Sequence, residues 1–248
     1  MSIPSPYRIY SCGDHAVTIE LGNTINAGIN QQVIELFTYL KAQNITGVKD
    51  IIPAYHTLTV VYDMSLLTKP AHKISAYVII RNQLLEAAGK VTVSSVAKAR
   101  LVSIPVCYDP SLGPDIEGLA ASHQLSIEEV IQLHTARTYR VYMIGFLPGF
   151  AYMGSVDKKI VTPRKTKPRT WVPAGSVGIA GEQTGIYPFD SPGGWQLIGQ
   201  TPLQMFDVNN EMPCYLQPGD EVQFCPVTIS EFTKLKQAIN KIRSPIPE

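Results

Sequence analysis

Between Gly145 and Gly219 the chain meets a glycine or a proline every few residues. This stretch holds eleven of the eighteen glycines and nine of the nineteen prolines. Long helices do not survive such spacing, because proline removes a backbone donor and glycine costs a helix interior about 1 kcal/mol. Short apolar runs lie between the turn residues, so this part of the chain reads as an all-β barrel or sandwich. One helix is expected after it, over 229–242.

The first hundred residues have a different texture. Tyr7–Tyr10 and Ala16–Leu21 read as strands around the turn pair Gly13-Asp14. Asn26 can cap a helix running to about Gln43, with Val33, Ile34, Phe37 and Leu40 on one face. Val48–Ile52 and Leu58–Tyr62 are β-rich. Pro70 opens a second helix, with Ile74, Tyr77, Val78, Arg81, Leu84 and Leu85 at helical spacing, and Gly89 closes it. Leu101–Cys107 is a further strand. This order suggests an α+β sandwich related to the split βαβ arrangement. The boundary falls within 105–140. We take 1–108 as an α/β sandwich domain and 109–248 as a mostly-β barrel domain with short helices at 115–136. One of these starts at the capping box Ser126-Ile127-Glu128-Glu129 and carries Val130, Ile131, Leu133 and His134.

Composition excludes several classes of function. Apolar residues are 45%, charged residues 17%, and the formal net charge is +1, so no global field favours nucleic acid or an anionic membrane. The start of the chain has no basic, apolar leader, and no apolar run is long enough to span a bilayer. Cys12, Cys107, Cys214 and Cys225 are scattered, which points to a reducing, cytoplasmic setting rather than a disulfide framework. The histidines form no metal-binding pattern, so no metal is expected. No Walker-type glycine loop is present, so the chain shows no familiar seat for ATP.

Three motifs carry candidate chemistry. In Gly145-Phe146-Leu147-Pro148-Gly149-Phe150-Ala151-Tyr152, an extended backbone puts Phe146, Phe150 and Tyr152 on one face, with Pro148-Gly149 turning the chain. Such a wall serves either a core or an amphipathic pocket. In Pro163-Arg164-Lys165-Thr166-Lys167-Pro168-Arg169, the two arginines stand five apart and converge only if the segment bends. Converging guanidiniums clamp a carboxylate or phosphate; otherwise the run is a solvated basic loop. In Ser191-Pro192-Gly193-Gly194-Trp195, the glycines can aim backbone N–H groups at an anion, or simply form a β-turn, and Trp195 closes one wall. His134 reads either as a general base or as a buried structural histidine. Asp14 and Asp115 sit in turn contexts, where capping explains them.

The ordered set of motifs resembles one family closely. It runs through Gly13-Asp14, Gly113-Pro114-Asp115, His134, Gly145-Phe146-x-Pro148-Gly149-Phe150-x-Tyr152, Pro163-Arg164 and Pro168-Arg169. It continues through Pro173-Ala174-Gly175-Ser176-Val177-Gly178-Ile179, Tyr187-Pro188, Ser191-Pro192-Gly193-Gly194-Trp195 and Gly199-Gln200-Thr201-Pro202. This is similar to the family of 5-oxoprolinase B subunits, also called allophanate hydrolase subunit one or the sporulation-kinase-inhibitor family. Gln200 stands where the family pattern leads one to expect arginine.

The resemblance implies an N-terminal α/β domain and a C-terminal cyclophilin-like β-barrel. It implies two partners, a larger homologous C subunit of 5-oxoprolinase and its A subunit. It further implies opening of 5-oxoproline to glutamate with ATP as cofactor of the complex, the chain being inactive alone. Related domains form the carboxyltransferase half of biotin-dependent urea carboxylase, and one member is described as inhibiting a sensor histidine kinase. Under this reading His134, Arg164 and Arg169 are catalytic, and Pro148, Gly149, Phe150, Tyr152, Gly193, Gly194 and Trp195 bind substrate.

Overall fold

The computed structural model describes residues 7–67, 74–91 and 99–243. Backbone contacts divide the chain into two compact units, Met1–Ala99 and Arg100–Glu248.

The first unit holds strands β1 (Arg8–Ser11), β2 (Ala16–Glu20), β3 (Val48–Pro53) and β4 (Thr57–Tyr62), with helices α1 (Ala27–Ala42), α2 (Met64–Leu67) and α3 (Ala76–Lys90). The sheet order is β1-β2-β4-β3, every neighbouring pair antiparallel. β2 and β3 therefore run the same way with β4 inserted between them, and α1 makes the crossover: a split βαβ unit. Asn26 caps α1 as its position suggests, accepting from the Gly28 and Ile29 amides. Val33, Leu36 and Leu40 of α1 meet Ile80 and Leu84 of α3 and Val17, Ile19, Leu58 and Val60 of the sheet in one apolar cluster. Pro70 lies outside the described residues. Ser75 caps α3, and the helix runs through Gly89 to Lys90, so this glycine does not close it. Its neighbouring residues keep helical hydrogen bonding, with the Val91 amide bonded to the Ala87 carbonyl.

The second unit contains β5 (Leu101–Val106), α4 (Ile116–Ser122), α5 (Ile127–Thr135), β6 (Thr138–Ile144), β7 (Ala151–Gly154), β8 (Arg169–Val172), β9 (Ser176–Ala180), β10 (Gln183–Ile186), β11 (Ser191–Gly193), β12 (Gln196–Gln200), β13 (Glu221–Pro226) and α6 (Ile229–Arg243). Seven strands form one sheet in the order β12-β9-β10-β7-β6-β13-β5, and β8 pairs with β11 in a separate two-stranded ribbon. The large sheet curls until its two edges meet. Cys107, next to β5, and Gln200 of β12 exchange both backbone hydrogen bonds at 2.9 Å. Closure removes the exposed strand edges that invite aggregation.

One strand is placed differently from the sequence reading. Leu101–Val106, assigned above to the N-terminal domain, pairs in parallel with β13 from Leu101↔Glu221 to Val106↔Pro226. Its buried side chains, Ile104 and Val106, join Tyr139, Val141, Val177, Ile179, Val222 and Phe224 in the core of the second unit. The capping box at Ser126 forms as read, with both reciprocal bonds present. Among the described residues no helix is long and apolar enough to cross a membrane.

Candidate functional site

The basic run finds its counter-charge in Asp115. The approach begins at Gly113, where a Cβ would fall 2.4 Å from the Ile198 carbonyl, so only glycine lets the start of α4 lie this close to β12. Asp115 is then fastened to Leu197 in both directions: its amide donates to the Leu197 carbonyl at 2.9 Å, and its Oδ2 accepts from the Leu197 amide at 2.7 Å. Its other oxygen, Oδ1, accepts from Lys165 Nζ at 2.8 Å and from Arg169 Nη2 at 2.7 Å. The carboxylate is 8% exposed. Burial raises its pKa, but the bonds from Arg169, Lys165 and the Leu197 amide outweigh burial and hold it below the ordinary carboxylate value. The cluster carries two cations and one anion, a net charge of about +1 at a partly dry site.

This arrangement corrects the reading of Asp115 as a helix cap. It stands at the N-cap of α4 but makes no side-chain capping bond. Its carboxylate ties α4 to the basic segment instead. The signal that points to it is the basic run itself: cations held near a core need an anion, and the acid supplying it lies 50 and 54 residues away in sequence.

Arg169 opens β8, where its backbone pairs with Gly193. Its Nη1 is buried and has no hydrogen-bond partner among the described residues. Arg164 takes another course. It is exposed, and its guanidinium lies over the Trp195 ring, 5.8 Å from the centroid. Both arginines act on Tyr187, whose phenol burial pushes up while the Trp195 amide, Arg164 and Arg169 act in the opposite direction. They share a neighbourhood but have different partners, so they do not form the joint clamp considered above.

The aromatic wall is assembled from residues of the second unit. Phe150 meets Phe146, Tyr152, Tyr187 and Trp195 edge-on, with ring centroids 5.6, 4.8, 5.3 and 5.3 Å away. Phe150 and Trp195 are buried, Tyr152 is half-buried, and Phe146 is 63% exposed. Phe146 also has φ of +68°, a left-handed conformation that bulky residues adopt at a cost. Pro148 is exposed on the same turn, and Gly149, at φ +83°, abuts the Met205 carbonyl and Phe206.

Gly193 and Gly194 do not form the amide nest. Neither has a positive φ, which a nest requires of one residue. Gly193 lies in β11, where a Cβ would sit 2.4 Å from the Tyr187 hydroxyl. Gly194 contributes its carbonyl, which accepts from the Lys165 amide at 2.7 Å. These glycines make room for a tyrosine and fasten the basic segment.

His134 is fully buried on α5. Its Nδ1 lies 2.8 Å from the Tyr108 hydroxyl and its Nε2 2.9 Å from Thr184 Oγ1. Thr184 donates to the Gly178 carbonyl, so Nε2 carries the ring proton and Tyr108 donates to Nδ1. The ring stacks on Phe224 at 4.6 Å, and burial lowers its pKa to about 3. This is the environment of a neutral structural histidine. Gln200, besides closing the sheet, donates from Nε2 to the Ala174 carbonyl.

The chain belongs to the carboxyltransferase-domain class. The family model described as carboxyltransferase domain, subdomain C and D, matches residues 7–216. Within that class the chain belongs to the family of 5-oxoprolinase B subunits. It is 42% identical over 236 residues to the 5-oxoprolinase B subunit of Bacillus subtilis (strain 168), covering 94% of this chain and 98% of that protein. A crystal structure of TTHA0988 superposes with a TM-score of 0.74 at 36% identity, covering 86% of this chain and 40% of that one. The Kluyveromyces lactis urea carboxylase shares the fold, with a TM-score of 0.73 at 17% identity over 96% of this chain and 23% of that one.

Proposed function

We propose that this chain is one component of an ATP-dependent 5-oxoprolinase that opens 5-oxoproline to L-glutamate together with two partners, the A subunit and the larger, homologous C subunit. The observation that carries this reading is the end-to-end similarity to a protein named as the B subunit of 5-oxoprolinase. The chemistry of the second unit is compatible with it. A lactam acid offers one carboxylate and one small ring. Arg164, exposed above Trp195 and beside Tyr152, supplies a planar donor fork next to an aromatic wall. The Asp115 cluster helps hold the backbone that presents this arginine, because the next residue, Lys165, is tied by its side chain to Asp115 and by its amide to the Gly194 carbonyl.

In this reading Arg164 contacts substrate, with Tyr152 and Trp195 as walls, while Arg169 and His134 hold the scaffold. ATP acts in the complex, and the chain alone is inactive. The two compact units support a two-domain organisation, an α/β domain followed by a cyclophilin-like barrel, with the join ahead of β5 because that strand completes the barrel sheet. The test is reconstitution from three purified components, with glutamate release followed as each is omitted in turn. Turnover only in the full mixture supports the proposal. Full activity without this chain overturns it.

A further inference from the structure

Phe146 is held in a shape that its own fold gives no reason for. Its φ of +68° suits glycine and strains a bulky residue. Glycines stand on either side, at 145 and 149, yet the strained position holds a phenylalanine. Burial does not offset the strain, because the residue is 63% exposed and meets Phe150 only edge-on. The turn is nonetheless fixed. The Leu147 amide donates to the Gly145 carbonyl at 2.9 Å, closing a three-residue turn of the strained hand, and the Gly145 amide donates to the Phe150 carbonyl at 3.1 Å. A larger apolar surface of the second unit continues from it. Gly149 abuts Phe206, whose ring meets that of Phe189 at 5.6 Å. Phe206 lies in a loop closed by the Asp207 amide on the Pro213 carbonyl at 2.8 Å and the Tyr215 amide on the Met205 carbonyl at 2.9 Å. Val208 and Met212, both exposed, lie at the end of this loop, and Pro148 is exposed on the Phe146 turn. Segments 145–150, 186–190 and 205–215 contain Asp190, Asp207 and Glu211 and no cation. Lys236 of α6 shares a cleft with Phe189, so three acids stand against one lysine, a net charge of about −2.

We propose that this face docks a partner protein, with Phe146 as its anchor, and that the partner brings an apolar socket rimmed by lysine and arginine. An exposed aromatic ring on a strained turn costs the isolated chain stability, and covering the ring offsets that cost. Because the turn is already fixed, little ordering remains to be done on binding. The charge selects the occupant. In a two-fold pairing of two copies the patch meets itself, so acids face acids. An anionic lipid surface is repelled in the same way, whereas a basic protein surface is attracted. This deepens the three-component reading and rests on it for the identity of the probes, the A and C subunits.

The test measures calorimetric binding of the full chain to purified A subunit and to purified C subunit, each alone. Phe146→Gly removes the ring and suits the left-handed backbone, so the isolated variant should melt at or above the wild-type temperature. Its affinity for the partner should fall at least about tenfold, the loss expected of an anchor residue, while Phe146→Tyr keeps the ring and should bind within about threefold of wild type. Glu211→Lys should weaken binding about threefold at low salt, with the difference shrinking as salt rises. The proposal is overturned if the wild-type chain binds neither subunit, if Phe146→Gly binds as tightly as wild type, or if it melts lower, which would give the ring to the fold. It is also overturned if Phe146→Gly abolishes self-association of the chain or its binding to phosphatidylserine vesicles, since either would name another occupant. Should Phe146→Gly not fold, Glu211→Lys decides, and unchanged binding in it counts against the proposal. Turnover by the reconstituted mixture is read separately. Turnover with binding indifferent to Phe146 removes this face and leaves the three-component reading standing, whereas ring-dependent binding without turnover does the reverse.

Discussion

His134 makes the second unit acid-sensitive in a way that can be isolated. The ring is satisfied only as a neutral group: Nδ1 accepts from Tyr108 and Nε2 donates to Thr184, with no exposed surface. Burial lowers its pKa from the ordinary 6.5 to about 3. Because the folded value lies below the unfolded one, the contribution is complete above about pH 6.5, declines as pH falls, and is exhausted near pH 3. At pH 6 the unfolded chain's proton uptake costs the fold about 0.8 kcal/mol, and at pH 5 about 2 kcal/mol. His134→Gln keeps an acceptor and a donor but does not titrate. Both tryptophans, Trp171 and Trp195, lie in the Arg100–Glu248 unit, so tryptophan fluorescence during urea unfolding reports on that unit. Between pH 7 and pH 5 the wild type should lose about 2 kcal/mol more than His134→Gln. Equal losses, within about 0.5 kcal/mol, would refute a neutral buried imidazole.

Asp115→Asn removes the anion shared by Lys165 and Arg169, and should lower urea-unfolding stability by about 3 kcal/mol because two partly buried cations lose their partner. The wild-type contribution should itself fade as pH falls below about 4, since the folded carboxyl titrates below the ordinary value. Gly193→Ala should cost about 1–3 kcal/mol, because the new methyl meets the Tyr187 hydroxyl. Adding Tyr187→Phe should recover part of that loss in thermal melts, and no recovery would show that the hydroxyl is not the obstacle.

What is legible in the sequence is local. Asn26 and Ser126 announce helix starts because a cap and its amides lie within three residues of each other. Phe146, Phe150 and Tyr152 read as neighbours, and their rings touch in sequence order. The failures involve partners far apart in the chain. Asp115 reads as a cap because neither Lys165 nor Arg169 is near it in sequence. Leu101–Val106 follows the first unit's elements directly, yet belongs to a sheet whose matching strand comes at the end of the chain. Gly193 suggests backbone freedom, whereas its use is the volume it leaves for Tyr187.

The parallel pairing of β5 with β13 has a consequence for how the protein is made. The second unit's opening strand is synthesised early, but its partner follows only after everything in between. Arg100 and Asp220, whose side chains pair beside these strands, are 120 residues apart. At ribosomal speeds of roughly 5–20 residues per second, the wait is about 6–24 s. During that interval β5 presents Ile104 and Val106 without the strand that covers its backbone, while the first unit has already emerged complete. A nascent chain arrested before Glu221 should therefore carry a folded first unit and a protease-sensitive second one, and release of the last strand should convert the second to resistance in one step.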